Sequence, residues 1–283
     1  MYTADARINL CDRELLFYYY VKSPVRYACQ RVFSLFPAEP IIPTHETIHV
    51  DVLDRPKEGV VFPEARNLVQ GAVWSLAEKG EYLFVRIKSP MVEGASMEAV
   101  LALKKKRVKV FVGTPWVAQK SFSSAWNLLF QIVFRASLDP ERELFVRGLG
   151  LLVKNKGFLV GAEPHNSSRI ILNSLAERFP SLGEDRLLVR KEKDGVYIYA
   201  TPWTRSINAS RSANARLNKL VYFNGGTALS RNEIFSHFGS AVADGLPENK
   251  SSRTPLDEFE AFTLRINHPE YLALELERLA LEQ

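Results

Sequence analysis

Apolar residues recur along the chain in two kinds of pattern, and each pattern predicts one kind of element. Alternating apolar and polar positions, or runs rich in branched and aromatic side chains, predict strands. These occur at residues 15–21, 47–52, 82–87, 108–112, 158–160, 187–191, 196–199 and 217–223. Apolar positions three and four residues apart predict helices at residues 63–79, 121–138, 170–179 and 269–281. A mixed α/β chain of the α+β kind is therefore expected.

The helix at residues 63–79 is predicted from its spacing and from the glycine that follows it. The apolar positions with helical spacing are Ala65, Leu68, Val69, Ala72, Val73 and Leu76. Gly80 follows them and would act as the C-terminal cap of the helix. A loop or short helix is expected at residues 94–103, between the strands at 82–87 and 108–112.

Composition and charge restrict the class of protein. A chain of 283 residues with 46% hydrophobic residues can bury a large core, in one large domain or two smaller ones. The formal net charge of +5 is mild and its acids and bases are interspersed, so no nucleic-acid partner is indicated. The two cysteines are too few for a disulfide scaffold and fit a reducing compartment. Without a membrane span or a signal-peptide pattern, the expectation is a soluble cytoplasmic protein that has no membrane partner.

The largest local excess of positive charge runs from Lys104 to Arg107 and continues at Lys109. It accompanies the alternating valines of the strand at residues 108–112. This pattern is typical of an edge or surface strand that carries its charges into solvent. A patch that binds an anionic ligand is the alternative.

A strand, a polar turn and a helix follow one another between residues 158 and 179, in the order of a phosphate-binding loop. Such a loop needs backbone N–H groups that converge on the anion, a lysine after the second glycine, and a hydroxyl for magnesium. With Gly161 as the first glycine, Asn166 takes the place of the second glycine and Ser167 that of the lysine. Ser168 supplies the hydroxyl. One glycine and the hydroxyl remain, but the lysine is missing.

Further motifs follow this loop in a fixed order. The acidic pair Glu184-Asp185 precedes a strand, Asp194-Gly195 predicts a hairpin turn, and Thr201-Pro202-Trp203 precedes the strand that ends at Phe223. This order resembles the HPr kinase and phosphoenolpyruvate carboxykinase-like P-loop family, over about residues 122–238. The resemblance implies an HPr-kinase-like P-loop domain at residues 119–283, which ends in the helix at 269–281. Residues 1–118 would form a β-rich N-terminal region with one helix.

The resemblance also implies a nucleotide site. The residues expected around the nucleotide phosphates are Gly161, His165, Asn166, Ser167, Ser168, Arg169, Trp203 and Arg205. Ser168 and Asp185 would lie near magnesium. Glu184 and Asp185 would be the catalytic carboxylates if the protein is active. ATP and Mg²⁺ are the cofactors implied, provided that the altered loop still binds them.

The departures from the family pattern argue against ordinary catalysis. Loss of one preorganised donor of this kind typically lowers the rate by ~10²–10³. Arg169 and Lys156 are the two candidates for a cation that takes the place of the missing lysine. The histidine that the family places on the strand before the loop is also absent, since residues 145–150 read Phe-Val-Arg-Gly-Leu-Gly. Each motif also has a structural interpretation: a charged turn for Glu184-Asp185, a helix cap for the serines, and a core position for Trp203.

Three functions follow. The first is a degenerate, HPr-kinase-like pseudokinase that serves as a binding, regulatory or scaffolding protein with a protein or peptide partner. The second is an active kinase that transfers phosphate from ATP to a hydroxyl of a protein, peptide or small molecule. The third is an unrelated α/β binding protein. The helix at residues 269–281 is expected to pack on its own domain, with self-association to a homo-oligomer as the weaker alternative.

Overall fold

The computed structural model is a mixed α/β protein with two large mixed sheets and few helices. It describes residues 5–10, 13–21, 23–34, 46–56, 60, 64–89, 96–117, 121–139, 141–162, 166–203, 214–223, 233, 238, 255–259, 261–264 and 269–281. The chain divides between Ser137 and Leu138 into two compact units. This boundary differs from the one expected near residue 118, because the helix at residues 121–136 packs with the strands before it.

The first unit is built on an eight-stranded sheet of order β1-β2-β3-β8-β7-β6-β5-β4. Its elements are β1 (Ala6–Leu10), β2 (Arg13–Tyr20), α1 (Ser23–Phe33), β3 (Glu46–Asp54), β4 (Arg66–Gln70), β5 (Trp74–Lys79), β6 (Tyr82–Lys88), β7 (Ser96–Ala102), β8 (Arg107–Val112) and α2 (Ser121–Ala136). Strand β3 is parallel to both β2 and β8, and the strands from β8 to β4 form an antiparallel meander.

The core of the first unit is an aromatic cluster that joins β2, α1 and α2. The rings of Phe17, Phe33 and Phe130 all contact the indole of Trp126, which is fully buried. Cys29 is buried in the same unit, and burial raises the pKa of its thiol to about 12. The thiol is therefore protonated at neutral pH, which makes it a packing residue rather than a nucleophile.

The helix predicted at residues 63–79 is wrong. This segment forms β4 and β5, which pair with each other, and β5 also pairs with β6. A register shift between Asn67 and Val69 breaks the alternation of β4, so that its apolar residues imitate helical spacing. Gly80 lies in the two-residue turn between β5 and β6 with φ of 60°, a conformation that favours glycine.

Two further expectations in this unit are corrected. Residues 96–102 form β7, whose alanine, methionine and leucine are poor strand signals but whose backbone is paired on both sides. Strand β8 lies between β3 and β7 and is not an edge strand. An interior strand with one solvated face has the same alternation as an edge strand, so sequence does not separate the two. The helix α1, with Pro24 in its first turn, was not predicted.

The basic cluster around β8 is partly neutralised by neighbouring acids. Lys105 lies 2.6 Å from a carboxylate oxygen of Glu81, and Arg107 lies 3.8 Å from one of Asp51. These contacts favour the solvated surface over an anion-binding patch.

The second unit also contains one mixed sheet, of order β12-β10-β11-β15-β14-β13-β9, with β16 paired to β15. Its elements are β9 (Glu143–Val146), β10 (Leu149–Val153), β11 (Lys156–Ala162), α3 (Asn166–Arg178), β12 (Ser181–Glu184), β13 (Leu187–Lys191), β14 (Val196–Ala200), β15 (Asn214–Phe223), β16 (Ala261–Leu264) and α4 (Pro269–Leu281). The strands and helices predicted for this half are confirmed, and β9, β10, β12 and β16 are additional.

The sheet of the second unit curls back on itself. Val146 of β9 pairs with Leu187 of β13, and Leu149 of β10 pairs with Glu184 of β12. Both antiparallel pairs follow one continuous register. Between them the backbone N–H of Asp185 donates to the carbonyl oxygen of Gly148 at 2.8 Å. The two ends of the sheet are thereby joined.

Helices α3 and α4 cover one face of this sheet. Leu175 of α3 and Leu272, Leu276 and Leu279 of α4 are buried in one apolar cluster with Val160. The expectation that the C-terminal helix packs on its own domain is confirmed. Its outer side leaves Tyr271, Leu274 and Leu281 exposed. Self-association through this side stays a prediction. Among the described helices, none combines the length and the apolar character needed to cross a membrane.

Candidate functional site

The strand and the helix that flank the candidate loop lie at the carboxyl edge of the sheet in the second unit. Strand β11 ends at Ala162 and α3 begins at Asn166. The register places Ala162 beside Phe223 of β15, and Phe223 beside Leu264 of β16, in parallel pairs. Three strands therefore end side by side where α3 begins. In α/β sheets ligands bind outside such carboxyl ends.

The predicted phosphate-binding residues are only partly described. His165 and Arg205 lie outside the described residues. Asn166, Ser167 and Ser168 form the first turn of α3. The helix-cap interpretation of the serines stays a prediction. Arg169 follows them and is exposed.

Lys156 is excluded as the substitute cation by its position. It opens β11, whereas the candidate loop follows the last residue of that strand. At about 3.3 Å per residue, the two ends of β11 are about 20 Å apart. A lysine side chain cannot span that distance.

Gly161 is required by the packing of aromatic rings. A Cβ atom at this position would lie 2.7 Å from Cε1 of Phe238 and 2.8 Å from Cδ2 of Tyr222. Both distances are shorter than real contacts of a Cβ atom. The glycine that the sequence assigned to a phosphate loop therefore has a structural role that does not depend on a ligand.

We expect Gly161→Ala to lower the free energy of unfolding of the second unit by about 1–3 kcal/mol, because the rings of Phe238 and Tyr222 must move. Urea denaturation with hydrogen exchange of β11 would measure the change. Gly113→Ala is the matched control, since its Cβ would meet no atom closer than 3.7 Å. Equal stability of the Gly161 variant and the wild type would contradict the packing role.

The acidic pair lies at the same edge of the sheet as the loop. Glu184 and Val160 both pair with Leu149, on opposite sides of it. The two residues are therefore two strands apart, which is about 10 Å. The acidic turn and the end of β11 therefore lie at one edge of the sheet, with β10 between them.

The carboxylate of Asp185 is surrounded by arginines. Its Oδ1 lies 3.2 Å from Nε of Arg147, and its Oδ2 lies 4.0 Å from Nε of Arg186. Its backbone has φ of 85°, a region that L residues rarely enter. A carboxylate whose charge is already balanced by a cation is a weakened ligand for magnesium. The described residues contain no cluster of three or more metal-ligating His, Cys, Asp or Glu side chains.

Thr201 and Trp203 lie next to the acidic turn. The hydroxyl of Thr201 donates to the carbonyl oxygen of Arg186 at 2.6 Å and accepts the backbone N–H of Trp203 at 3.3 Å. The indole of Trp203 is buried and packs edge-on against Phe145, with ring centroids 5.8 Å apart. Trp203 thus has a core position, and the Thr-Pro-Trp turn serves to hold the acidic turn.

Comparison with solved structures gives a weak likeness. No family model matches the chain, and no curated protein matches it in sequence. Among solved structures, the HPr(Ser) kinase/phosphatase from Coxiella burnetii matches 48% of this chain and 97% of its own, with 10% identity and a TM-score of 0.28. The chain is thus weakly similar in structure to that enzyme. At this TM-score the likeness supports no conclusion about the site or its chemistry.

Two residues of this edge were missed as site residues. The sequence places Arg147 only where the family has a histidine, and it places Phe238 only at the end of the region of resemblance. Arg147 carries the charge that faces Asp185, and Phe238 accepts the backbone N–H of Arg147 at 3.0 Å. A lone arginine between two strands gives no signal in sequence, because its partner lies 38 residues later.

Proposed function

We propose that this protein is a binding or regulatory protein that does not transfer phosphate from ATP. The proposed site is the edge of the second unit where β11, the first turn of α3 and the acidic turn meet. The observation that carries the proposal is the ion pair of Asp185 with Arg147, 3.2 Å apart. A carboxylate that would help to hold magnesium in an active kinase is here bound to a cation of the protein.

The missing lysine supports the same proposal. Phosphoryl transfer depends on cations that neutralise charge on the transferred group, and Ser167 stands where the resemblance expects that lysine. Gly161 serves aromatic packing, so its presence is not evidence for nucleotide binding. The backbone of the first turn of α3 retains N–H groups that point away from the helix and attract anions. Anion binding without transfer is the function that these residues support best, and the ligand partner would be an anion or an anionic group of a protein or peptide.

The active kinase is the second candidate, since the acidic turn and the strand–turn–helix share one edge of the sheet. An active enzyme would have to free Asp185 from Arg147 when magnesium and ATP bind. Its Glu184 and Asp185 would then be the catalytic carboxylates, with Ser168 and Asp185 at the metal.

The two candidates predict different results with ATP. We expect wild-type protein to form no ADP or phosphorylated product with ATP and magnesium, and isothermal titration to show weak binding or none. Asp185→Ala should likewise form no product. Saturable binding accompanied by product from wild type, and by none from Asp185→Ala, would establish the kinase instead.

A further inference from the structure

The exposed apolar side chains of the second unit are gathered on its two helices. Ile170 on α3 is 68% exposed, and Tyr271, Leu274 and Leu281 on α4 are 55–67% exposed. No other large apolar side chain is exposed among the described residues of this unit. Exposed apolar side chains that lie together, unlike single ones, mark an interaction surface.

The two helices run side by side in the same direction. Helix α3 follows β11 and α4 follows β16, and both strands are parallel to β15. Both helices pack into one apolar cluster on the same face of the sheet, so both return from the same edge. Arg178 and Glu277, near the C-terminal ends of the helices, form an ion pair of 3.0 Å. A residue of α3 therefore lies beside the residue of α4 that is 99 positions later.

The outward residues of the two helices have the same spacing and complementary chemistry. On α3 they are Arg169, Ile170 and Glu177, and on α4 they are Glu270, Tyr271 and Arg278, all of them exposed. In this order the first pair and the last pair have opposite charges, and both members of the middle pair are apolar. The members of each pair differ in height along the helices by two residues, which is about 3 Å and within the reach of these side chains.

We propose that the outer face of α3 and α4 binds a second copy of this chain, about a two-fold axis that runs parallel to the helices and between them. Such a rotation keeps the direction of the helices and places α3 of each copy on α4 of the other. Arg169 then meets Glu270 of the second copy, Ile170 meets Tyr271, and Glu177 meets Arg278. Leu274 lies between these contacts on the same side of α4.

The charges on this face favour a second copy over a membrane or a strongly charged partner. Both signs occur in similar number, in Arg169, Glu177, Arg178, Glu270, Glu275, Glu277 and Arg278. Helices that bind the surface of anionic membranes instead carry an excess of lysine and arginine. Residues 138–283 contain 19 basic and 19 acidic residues, so two copies do not repel each other through this unit.

The size of the face predicts a weak dimer. Each helix has 13 residues and is therefore about 20 Å long. Because neighbouring helices lie about 10 Å apart, the pair presents a face of about 400 Å² on each copy. The sum over two copies, about 800 Å², is small for a specific interface. Association is therefore expected to depend on protein concentration in the micromolar range.

The first test is sedimentation equilibrium of the full chain. We expect the mass to rise from one chain to two between about 5 and 200 µM, with a Kd of about 10–100 µM. Leu274→Glu should weaken association at least about tenfold, because it puts a charge into an apolar contact. The matched control is Tyr27→Glu on α1, where the tyrosine is 73% exposed and lies outside the proposed interface. It should associate as wild type does.

The second test exchanges charges between copies. Arg169→Glu and Glu270→Arg should each associate about three- to tenfold more weakly than wild type, because each sets like charges against each other twice. A mixture of these two variants should recover the association of wild type, because both contacts then join opposite charges. A contact within one chain could not be restored by mixing. Arg66→Glu and Glu78→Arg, on β4 and β5, make the same changes of net charge in the first unit and should associate as wild type, alone and mixed.

Three results would overturn the proposed dimer: a mass of one chain for wild type at 200 µM, wild-type association of Leu274→Glu, or a mixture no stronger than its single variants. Recovery in the Arg66 and Glu78 mixture beyond wild type would mean that net charge alone drives association, and it would also overturn the interface. Hydrogen exchange of β11 shows whether each variant is folded. The ATP experiment has product formation as its readout, so the dimer and the proposed function fail independently.

Discussion

Replacing Trp126 by alanine is expected to lower the free energy of unfolding of the first unit by about 3–5 kcal/mol. Trp126 is fully buried on α2. Its indole meets Phe33 edge-on at 4.9 Å and Phe130 at 5.4 Å, and it meets Phe17 and Phe122 at 6.3 Å. Alanine would leave a cavity at the point where α1, α2 and β2 converge, and rings held by so many partners cannot all collapse into it. A loss of this size is a large part of the stability of a typical domain, which is about 5–15 kcal/mol.

Urea denaturation followed by hydrogen exchange of β2 and α2 would measure the loss in the first unit. Tyr27→Ala is the matched control, because Tyr27 is an aromatic residue of α1 that is 73% exposed. It should change stability by less than about 0.5 kcal/mol. Trp126→Phe should fall between the two. A loss below about 1 kcal/mol for Trp126→Ala would mean that this cluster is not the core of the unit.

Removing one partner of the buried ion pair between Arg190 and Glu143 is expected to destabilise the second unit by about 3–5 kcal/mol. The two residues face each other across β13 and β9, and their side chains are 6% and 7% exposed. Arg190 Nε donates to Glu143 Oε1 at 2.7 Å, while Glu143 Oε2 accepts the backbone N–H of Asp139 at 2.8 Å. Glu143→Gln would leave the buried guanidinium without a full counter-charge, although Glu192 lies 3.9 Å away.

A double-variant cycle tests this pair. Glu143→Met combined with Arg190→Met should recover most of the stability that either single change loses, because two apolar side chains need no counter-charge. Arg278→Gln is the control, since its pair with Glu275 on α4 is exposed and contributes little. Single variants of Glu143 and Arg190 as stable as Arg278→Gln would show that the pair is solvated in solution.

The parts of the site that sequence predicted correctly are those that depend on chain order. The strand at residues 158–160, the helix after it and the Asp194-Gly195 hairpin all appear, because each depends on local spacing or on one turn. The meeting of Glu184 with the end of β11 was implied by the family resemblance and not by spacing. The secondary structure of the N-terminal half was predicted less accurately. There a register shift in β4 gave helical spacing, and β7 is a strand only because two neighbours pair with it.

The chemistry of the site was decided by contacts that no local pattern records. The family resemblance implied that Asp185 would lie near magnesium, and the structure pairs its carboxylate with Arg147. The sequence suggested a phosphate glycine at Gly161, whereas the structure shows rings of Phe238 and Tyr222 in that space. Both partners are distant in the chain and become neighbours only when the sheet forms.

The sequence by itself determined the mixed α/β class, most strands of the second unit, the buried helix α2 and the absence of the loop lysine, because these follow from residue identity and short-range periodicity. Tertiary structure alone decided the unit boundary, the interior position of β8 and the partners of Asp185 and Gly161. Strand order and side-chain pairing depend on which segments meet across the sheet, and that choice is made by long-range packing, which local spacing does not encode.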